Sequence, residues 1–263
     1  FRAAPAVPYL PHGLALRVLH PGVPLAQADE GFQTWAQQVT PGALRLGAVA
    51  TNQPRKDFGL LFETLAVLRA EGYAVALWLH TDFITRVWDV GELAGTCGLS
   101  PREVAVSTDD LTDSHLAARY GWSDATIAPG LGEGFGYPIV ESLACGTPVV
   151  HIRYAGGVEL IPHPGWVVSP RVYRLESLYA IRRPVVQPEE MAAAVSTAAT
   201  WKRRAPAVVT AYCSGAVEHL DWTHLWPRWK SWFLQGLRRE RGAPLNELVV
   251  VRAAEEVVVG EGV

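Results

Sequence analysis

The chain has 263 residues, 49% of them apolar and 10% aromatic, with a formal net charge of −3; that content fills one large core or two small ones. Lys and Arg are scattered apart from short clusters at Arg182-Arg183, Lys202 to Arg204 and Arg238 to Arg241, expected on solvated helix faces or ends, and this balance excludes a broad nucleic-acid footprint. Cys97, Cys145 and Cys213 are odd in number and lack metal spacing, no apolar run nears the roughly 18 residues that cross a bilayer, and no signal pattern is visible, so a reducing, cytoplasmic location is expected.

In chain order, residues 1–40 are proline-rich with little periodicity and read as a linker and edge segment. Leu14 to Leu19 is the expected extended piece and Leu25 to Gln38 a possible helix. The start at Phe1, mid-phrase in Pro-Ala-Val-Pro-Tyr-Leu-Pro-His-Gly13, is read as the continuation of a longer product. Leu44 to Ala50 is an apolar strand, and Thr51 to Asp57 is the turn that leads into a helix. Phe58, Leu61, Phe62, Leu65 and Leu68 repeat at helical spacing, Gly72 stops that helix, and Ala74 to Leu79 forms the next strand. Arg55 and Lys56 then stand at the carboxyl edge of a strand, where open α/β sheets bind ligands. His80 follows the second strand; it either faces a ligand or is a hydrogen-bonded structural histidine. Arg86 to Gly98 reads as a helix, Ser100-Pro101 as a cap and first-turn pair, Glu103 to Ser107 as a short strand and Thr112 to Tyr120 as a helix. Asp109, Asp110 and Asp113 are loop and helix-start acids rather than a metal site.

The most informative stretch runs from Gly130 to Pro148, preceded by the apolar Ala125 to Ala128 and followed by Val149 to Ile152. An apolar strand enters a glycine-rich turn, then a short helix with Pro138 in its first turn and Gly146 as its stop, then a second strand. This is a βαβ unit. Gly134 and Gly136 are expected to allow positive φ and close approach of backbone amides to a ligand, and the helix start behind them carries about +0.5 of a charge. An anion fits there. Glu133 and Glu141 frame the turn; their carboxylates suit vicinal hydroxyls, making the ligand a phosphate flanked by sugars. The plain alternative is a solvated loop acid and an acid stabilised by the helix dipole. The Gly-x-Gly pairs fail the dinucleotide pattern, since Phe135 and Tyr137 stand where its third glycine would fall.

Glu133-Gly-Phe-Gly-Tyr-Pro-Ile-Val-Glu141, followed by Ser-Leu-Ala-Cys-Gly-Thr-Pro-Val-Val, resembles the Glu-x7-Glu signature of retaining glycosyltransferases, especially glycosyltransferase family 4. In that family the signature lies in the C-terminal, donor-binding domain of a two-domain GT-B fold. The resemblance implies that Glu133 touches hydroxyls of the transferred sugar, that amides around Gly134, Phe135, Gly136 and Tyr137 hold sugar or phosphate, and that Glu141 holds the nucleotide ribose. It also implies a basic pair that neutralises the donor diphosphate. Lys56 matches the lysine, whereas the earlier arginine is replaced in the region of Ala50 to Asn52, leaving Arg55 and Asn52 as the candidates there. His80 stands where many relatives carry glycines. No Asp-x-Asp occurs in the chain, so no metal and no cofactor is expected beyond the nucleotide-diphosphate sugar as co-substrate. The acceptor, a glycan or other hydroxyl compound, and any peripheral membrane contact would belong to an absent N-terminal Rossmann-like domain.

Beyond the signature, Gly156-Gly157 offers a second place for amides to face the cleft, and Glu159 resembles an acid found at this turn in relatives. Trp166 to Ser169 is expected as the last sheet strand, Arg171 to Val186 as a variable insertion, and Pro188 to Trp201 and Ala207 to Leu220 as helices. Trp222, Trp226, Trp229 and Phe233 form a stripe at helical spacing, read as core rather than as a carbohydrate platform, with Pro227 as a possible kink. The expected organisation is a linker at 1–40, a Rossmann-like α/β domain with a doubly wound parallel sheet at 41–220, a crossover helix at 221–242 and a tail at 243–263. A nucleotide-sugar epimerase on the same fold and a non-catalytic nucleotide-sugar-binding module are the competing readings.

Overall fold

The computed structural model describes residues 13–176 and 180–241, and side chains among these up to residue 235. Two compact units emerge, one of Leu14–His219 and a second to which, among the described residues, Gly13 and residues 220–241 belong. The expectations for the first twelve residues and for the tail at 243–263 lie outside the described residues.

The larger unit is built on six parallel strands, β1 (Leu44–Val49), β2 (Val75–His80), β3 (Val104–Ser107), β4 (Ala125–Ala128), β5 (Val149–Ile152) and β6 (Val167–Val168), in the order β3-β2-β1-β4-β5-β6. This is the doubly wound arrangement expected from the sequence. The chain adds strands outward from β1 in one direction, then returns to its other side with β4. Helices α2 (Phe58–Ala70) and α6 (Pro188–Arg204) pack against each other, while α4 (Asp113–Trp122), α5 (Tyr137–Ala144) and α7 (Pro206–Val217) form a second connected layer. Right-handed crossovers require that reversal of strand order to switch helices from one face to the other.

The β2 strand explains why the sheet is closed to water on both sides. Val75 to Leu79 are all buried, and Trp78 is fully so; such a continuous apolar run is the mark of a parallel strand covered on two faces. Trp78 pairs in register with Gly47 on β1. A β-carbon at Gly47 would lie 2.7 Å from Trp78 Nε1, so the glycine makes room for the indole, whose N–H donates to Ser123 Oγ at 2.7 Å.

Several sequence expectations change in three dimensions. Residues 14–40 belong to the compact unit rather than to a linker. Within the stretch expected to be extended, Leu14 forms a single β-bridge, while residues 16–18 are a turn closed by the Val18 and Leu19 amides on the Ala15 carbonyl at 3.2 and 3.4 Å. The helix expected from Leu25 splits into a 3-10 turn, Leu25–Gln27, and α1 (Glu30–Gln38), because Asp29 caps the latter through the Phe32 amide at 3.0 Å. Phe32 buries itself against Trp122, ring centroids 5.3 Å apart. The helix at Arg86 to Gly98 contracts to α3 (Val90–Thr96), capped by Asp89. Ser100-Pro101 starts a turn instead of a helix, since the Glu103 carboxylate accepts from both the Ser100 amide and hydroxyl at 2.9 and 2.8 Å. The insertion at 171–186 is an antiparallel hairpin, β7 (Val172–Glu176) with β8 (Ile181–Val185).

The basic cluster at Lys202-Arg203 is not a solvated face. Arg203 Nε and Nη2 donate to Asp124 Oδ2 at 2.9 and 2.5 Å, and Arg45 Nη2 to Asp124 Oδ1 at 2.7 Å. Burial alone would raise the Asp124 pKa, but the two guanidiniums hold it below the usual value. Lys202 is 9% exposed and donates to the Ser123 carbonyl and Thr147 Oγ1 at 2.7 and 2.6 Å. Burial lowers its pKa to about 8. The thiols of Cys145 and Cys213 are buried and pushed up to about 12 by that burial.

In the second unit, α8 (Trp222–Arg241) carries Pro227 within it. Trp222, Trp229 and Phe233 stack along the helix at centroid distances of 6.1 and 5.8 Å. The expected core role is not met: Trp222, Trp226 and Phe233 are 41%, 45% and 44% exposed, and Leu225 is the buried residue among the described side chains of α8. No described helix is long and apolar enough to cross a membrane.

Candidate functional site

The reversal of strand order falls between β1 and β4, and the loops leaving their carboxyl ends meet there. After β1 the chain turns through a 3-10 segment, Pro54–Lys56, and enters α2 with Asp57 at φ 45° and its carboxylate accepting from the Leu60 amide at 3.2 Å. This tight turn folds Lys56 inward, to 7% exposure. After β4 the glycine-rich loop brings Glu133 back toward it, and Lys56 Nζ donates to Glu133 Oε1. Arg55 Nη1 donates to the Gly132 carbonyl at 2.6 Å and lies 3.8 Å from Glu133 Oε2. The Leu131 amide returns a bond to the Arg55 carbonyl at 2.6 Å. Arg55, Lys56 and Glu133 therefore share one crevice. Beside the pair is a cavity of about 20 Å³, bounded by Ala48, Phe58, Ile127 and Ile139, which has room for one water.

The glycines of the loop have separate reasons. A β-carbon at Gly130 would sit 2.7 Å from Glu133 Oε1, and one at Gly132 would sit 2.8 Å from Arg183 Nη1. Gly136 has φ 87° and stands at the N-cap of α5, with no side chain to cap the first turn and Pro138 within it. In that first turn Pro138 has no N–H, and the Ile139 and Val140 amides both donate to the Gly136 carbonyl, at 2.9 and 3.3 Å. Gly134 does not adopt the positive φ expected for it, and a β-carbon there would meet nothing within 4 Å. Phe135 and Tyr137 meet edge to face at 5.0 Å, with Tyr137 exposed.

Gly156-Gly157 closes the loop from the far side, within a 3-10 turn, Gly156–Leu160. Their role is close packing: a β-carbon at Gly156 would lie 2.5 Å from the Gly134 carbonyl oxygen and one at Gly157 would lie 2.8 Å from His151 Nε2. His151 is fully buried, its Nδ1 at 2.6 Å from the Ala128 carbonyl, with burial lowering its pKa. Sequence reading passed over this histidine because an apolar strand end gives no signal for it.

The other expected site residues are placed elsewhere. Asn52 is fully buried and its amide serves the loop after β2: Nδ2 donates to the Phe83 and Trp88 carbonyls at 2.9 and 2.7 Å, and Oδ1 accepts from the Val87 and Trp88 amides at 3.2 and 2.9 Å. A carboxamide so engaged has no donor left for a ligand, so the ligand-binding expectation for Asn52 is corrected to a structural one. His80 is the last residue of β2 and its Nδ1 lies 3.0 Å from Ser107 Oγ on the neighbouring β3; burial, then the charge of Arg119, lowers its pKa. Glu141 accepts from the Tyr120 hydroxyl at 3.0 Å, and burial raises its pKa. Neither His80 nor Glu141 is in contact with the Lys56–Glu133 pair. Among the described residues no group of three or more His, Cys, Asp or Glu side chains gathers as a metal site would require.

One arginine was missed. Arg183, on β8, is 19% exposed at its side chain and donates to the Leu131 carbonyl at 2.5 Å and to Glu176 at 3.0 Å. Its position in a cluster of charges within an insertion pointed to solvent, and nothing in the sequence ties it to a loop 52 residues away.

Fold and site together define a Rossmann-like unit whose crevice, at the switch point of the sheet, combines a basic turn, a helix start and a carboxylate. The sequence profile of the family described as Glycosyl transferases group 1 matches residues 41–200, and the chain belongs to that family. It is 28% identical over 226 residues to a D-inositol 3-phosphate glycosyltransferase from Pseudarthrobacter chlorophenolicus, covering 79% of this chain and 51% of the relative. It is 30% identical over 124 residues to the serotype-specific mannosyltransferase WbdA of Escherichia coli, covering 45% of this chain and 14% of the relative. Among solved structures, HepE of Anabaena in complex with UDP superposes with a TM-score of 0.63 at 17% identity, covering 84% of this chain and 55% of that one. Sucrose-phosphate synthase from Thermosynechococcus elongatus gives 0.60 at 19%, covering 88% and 52%. At these identities the structural likeness speaks for the fold, which is that of one GT-B half. The chain spans about half the length of the first of these relatives.

Proposed function

We propose that this chain is the donor-binding half of a retaining, metal-independent glycosyltransferase that moves a sugar from a nucleotide-diphosphate sugar to a hydroxyl acceptor. The observation that carries the reading is the convergence of Lys56 and Glu133 from the loops after β1 and β4, at the point where open parallel sheets take their ligands. Membership of the family supports the reaction class, and the HepE structures with UDP and with UDP-glucose support a nucleotide-sugar donor.

In this reading Lys56, with Arg55, offsets charge on the departing diphosphate, and loop amides do the same from the helix end. Glu133 accepts hydrogen bonds from hydroxyls of the transferred sugar. Glu141, held by Tyr120, accepts from the ribose. No general base is assigned, since front-face displacement lets the leaving phosphate oxygen take the acceptor proton. The acceptor side is supplied by a second Rossmann-like domain, and the free thiols fit a cytoplasmic setting. The reading is tested by calorimetry of the 263-residue chain with UDP, GDP and ADP, with and without a chelator. Saturable binding of one nucleotide that survives chelation is expected. Absence of heat with all three overturns the reading, and loss of binding on chelation overturns metal independence. Product analysis of the full-length protein with and without acceptor separates transfer from epimerisation.

A further inference from the structure

The hairpin β7–β8 has no part in the reading above, yet it reaches the crevice through one side chain. Register pairs Arg174 with Arg183 and Glu176 with Ile181, which puts Arg174, Glu176 and Arg183 on one face of the hairpin. That face is turned to the site: Arg183 Nη1 donates to the Leu131 carbonyl at 2.5 Å, and Arg174 and Glu176 are close enough to act on the charge of Asp57 at the start of α2. The hairpin is anchored separately by Tyr154, whose hydroxyl donates to the Arg182 carbonyl at 2.7 Å and whose ring lies 6.4 Å from that of Tyr173 on the opposite face. Glu176 fixes the guanidinium from behind at 3.0 Å.

The result is a loop held from two sides. Successive carbonyls of the glycine-rich segment are taken by arginines from different elements, Leu131 by Arg183 and Gly132 by Arg55 at 2.6 Å. The next residue is Glu133. Fixing both carbonyls fixes the two peptide planes that precede Glu133, and so the direction in which its carboxylate leaves the backbone. Gly132 is part of the same device, because a β-carbon there would meet Arg183 Nη1 at 2.8 Å.

We propose that Arg183 is a positioning residue of the donor site: by holding the Leu131 carbonyl from the hairpin, it sets the orientation of Glu133 toward the transferred sugar. The inference deepens the donor-site reading and rests on it for the identity of the ligand. It predicts an asymmetric effect. The contribution of the sugar to binding depends on Glu133 and therefore on Arg183, whereas the nucleoside diphosphate is gripped by Lys56, Arg55 and the helix start.

The test uses Arg183→Ala, Arg183→Lys and Gly132→Ala in the 263-residue chain. Hydrogen exchange of the ligand-free proteins comes first. Arg183→Ala and Gly132→Ala are expected to speed exchange across residues 130–136 while β1 and β4 remain as protected as before. Unchanged exchange across that segment overturns the clamp whether or not any nucleotide binds. Calorimetry follows with the nucleoside diphosphate the unsubstituted chain prefers and with its glucose ester. Arg183→Ala and Gly132→Ala should weaken the diphosphate by no more than twofold, any tightening reflecting release of Lys56 from Glu133, and weaken the ester about tenfold, the worth of one charge-assisted hydrogen bond. Arg183→Lys, which keeps one donor, should recover part of the loss. Equal weakening of both ligands, or of neither, refutes the proposed role. An unsubstituted chain that binds neither ligand refutes the donor-site reading, and with it the role in sugar orientation, whatever the exchange result.

Discussion

Replacing Glu133 by Gln should tighten the binding of a nucleoside diphosphate while abolishing sugar transfer. In the ligand-free crevice the acid holds Lys56 in a nearly dry contact, with side-chain exposures of 9% for the lysine and 13% for the acid. A diphosphate must take up that ammonium in competition with the carboxylate. A hydrogen bond to a charged partner is worth ~1.5–3 kcal/mol and a neutral one ~1 kcal/mol. Exchange of carboxylate for amide thus relieves about 0.5–2 kcal/mol of competition, or roughly 2- to 30-fold in Kd. Removal of a negative charge beside the phosphates acts in the same direction. The amide oxygen of Gln still accepts from Lys56, so the fold should survive, and a thermal melt within a few degrees of the unsubstituted protein checks that. Calorimetry of the 263-residue chain reads the affinity, and turnover by the full-length protein reads transfer. Weaker diphosphate binding by the variant would refute the view that Glu133 and the diphosphate share Lys56. Unimpaired transfer would refute the placing of Glu133 at the sugar.

Three further outcomes follow from the scaffold. Asn52→Ala leaves the Phe83 and Trp88 carbonyls and the Val87 and Trp88 amides without their partner, so unfolding in urea should shift by about 2–4 kcal/mol, with faster proteolysis in the loop at 82–89; a shift below about 1 kcal/mol would contradict its structural role. Gly47→Ala drives a methyl against the Trp78 indole 2.7 Å away, and a loss of about 1–3 kcal/mol is expected from the urea midpoint. Lys202 has its pKa lowered from 10.5 to about 8. Below pH 8 the ammonium is charged in both the folded and unfolded states and the burial cost is fully present; as pH rises from about 8 to 10.5 the folded state loses its proton first, so stability rises. The gain is at most about 3 kcal/mol, and it should appear as a growing difference in unfolding free energy between the protein and Lys202→Met. A difference that stays flat over that window would contradict the assignment.

The sequence by itself determined the layers and the centre of this protein. Apolar runs such as Val75 to Leu79 with helical repeats between them fix a parallel α/β sheet, because local periodicity and two-sided burial leave no other consistent fold. The spacing of Glu133, Gly136, Pro138 and Gly146 likewise marked a loop and helix start, since turn and cap chemistry acts within a few residues. Tertiary structure alone decided which groups share the crevice. Arg183 and Leu131 are 52 residues apart in the chain and Lys56 and Glu133 are 77 apart, and no local pattern reports a contact closed by strand order. It also decided what the glycines are for, as Gly47 and Gly156 are required by neighbours that arrive from elsewhere in the chain. Asn52 shows the same division: its place beside the site was legible in the turn after β1, but the direction of its side chain was set by the loop that folds back over it from β2.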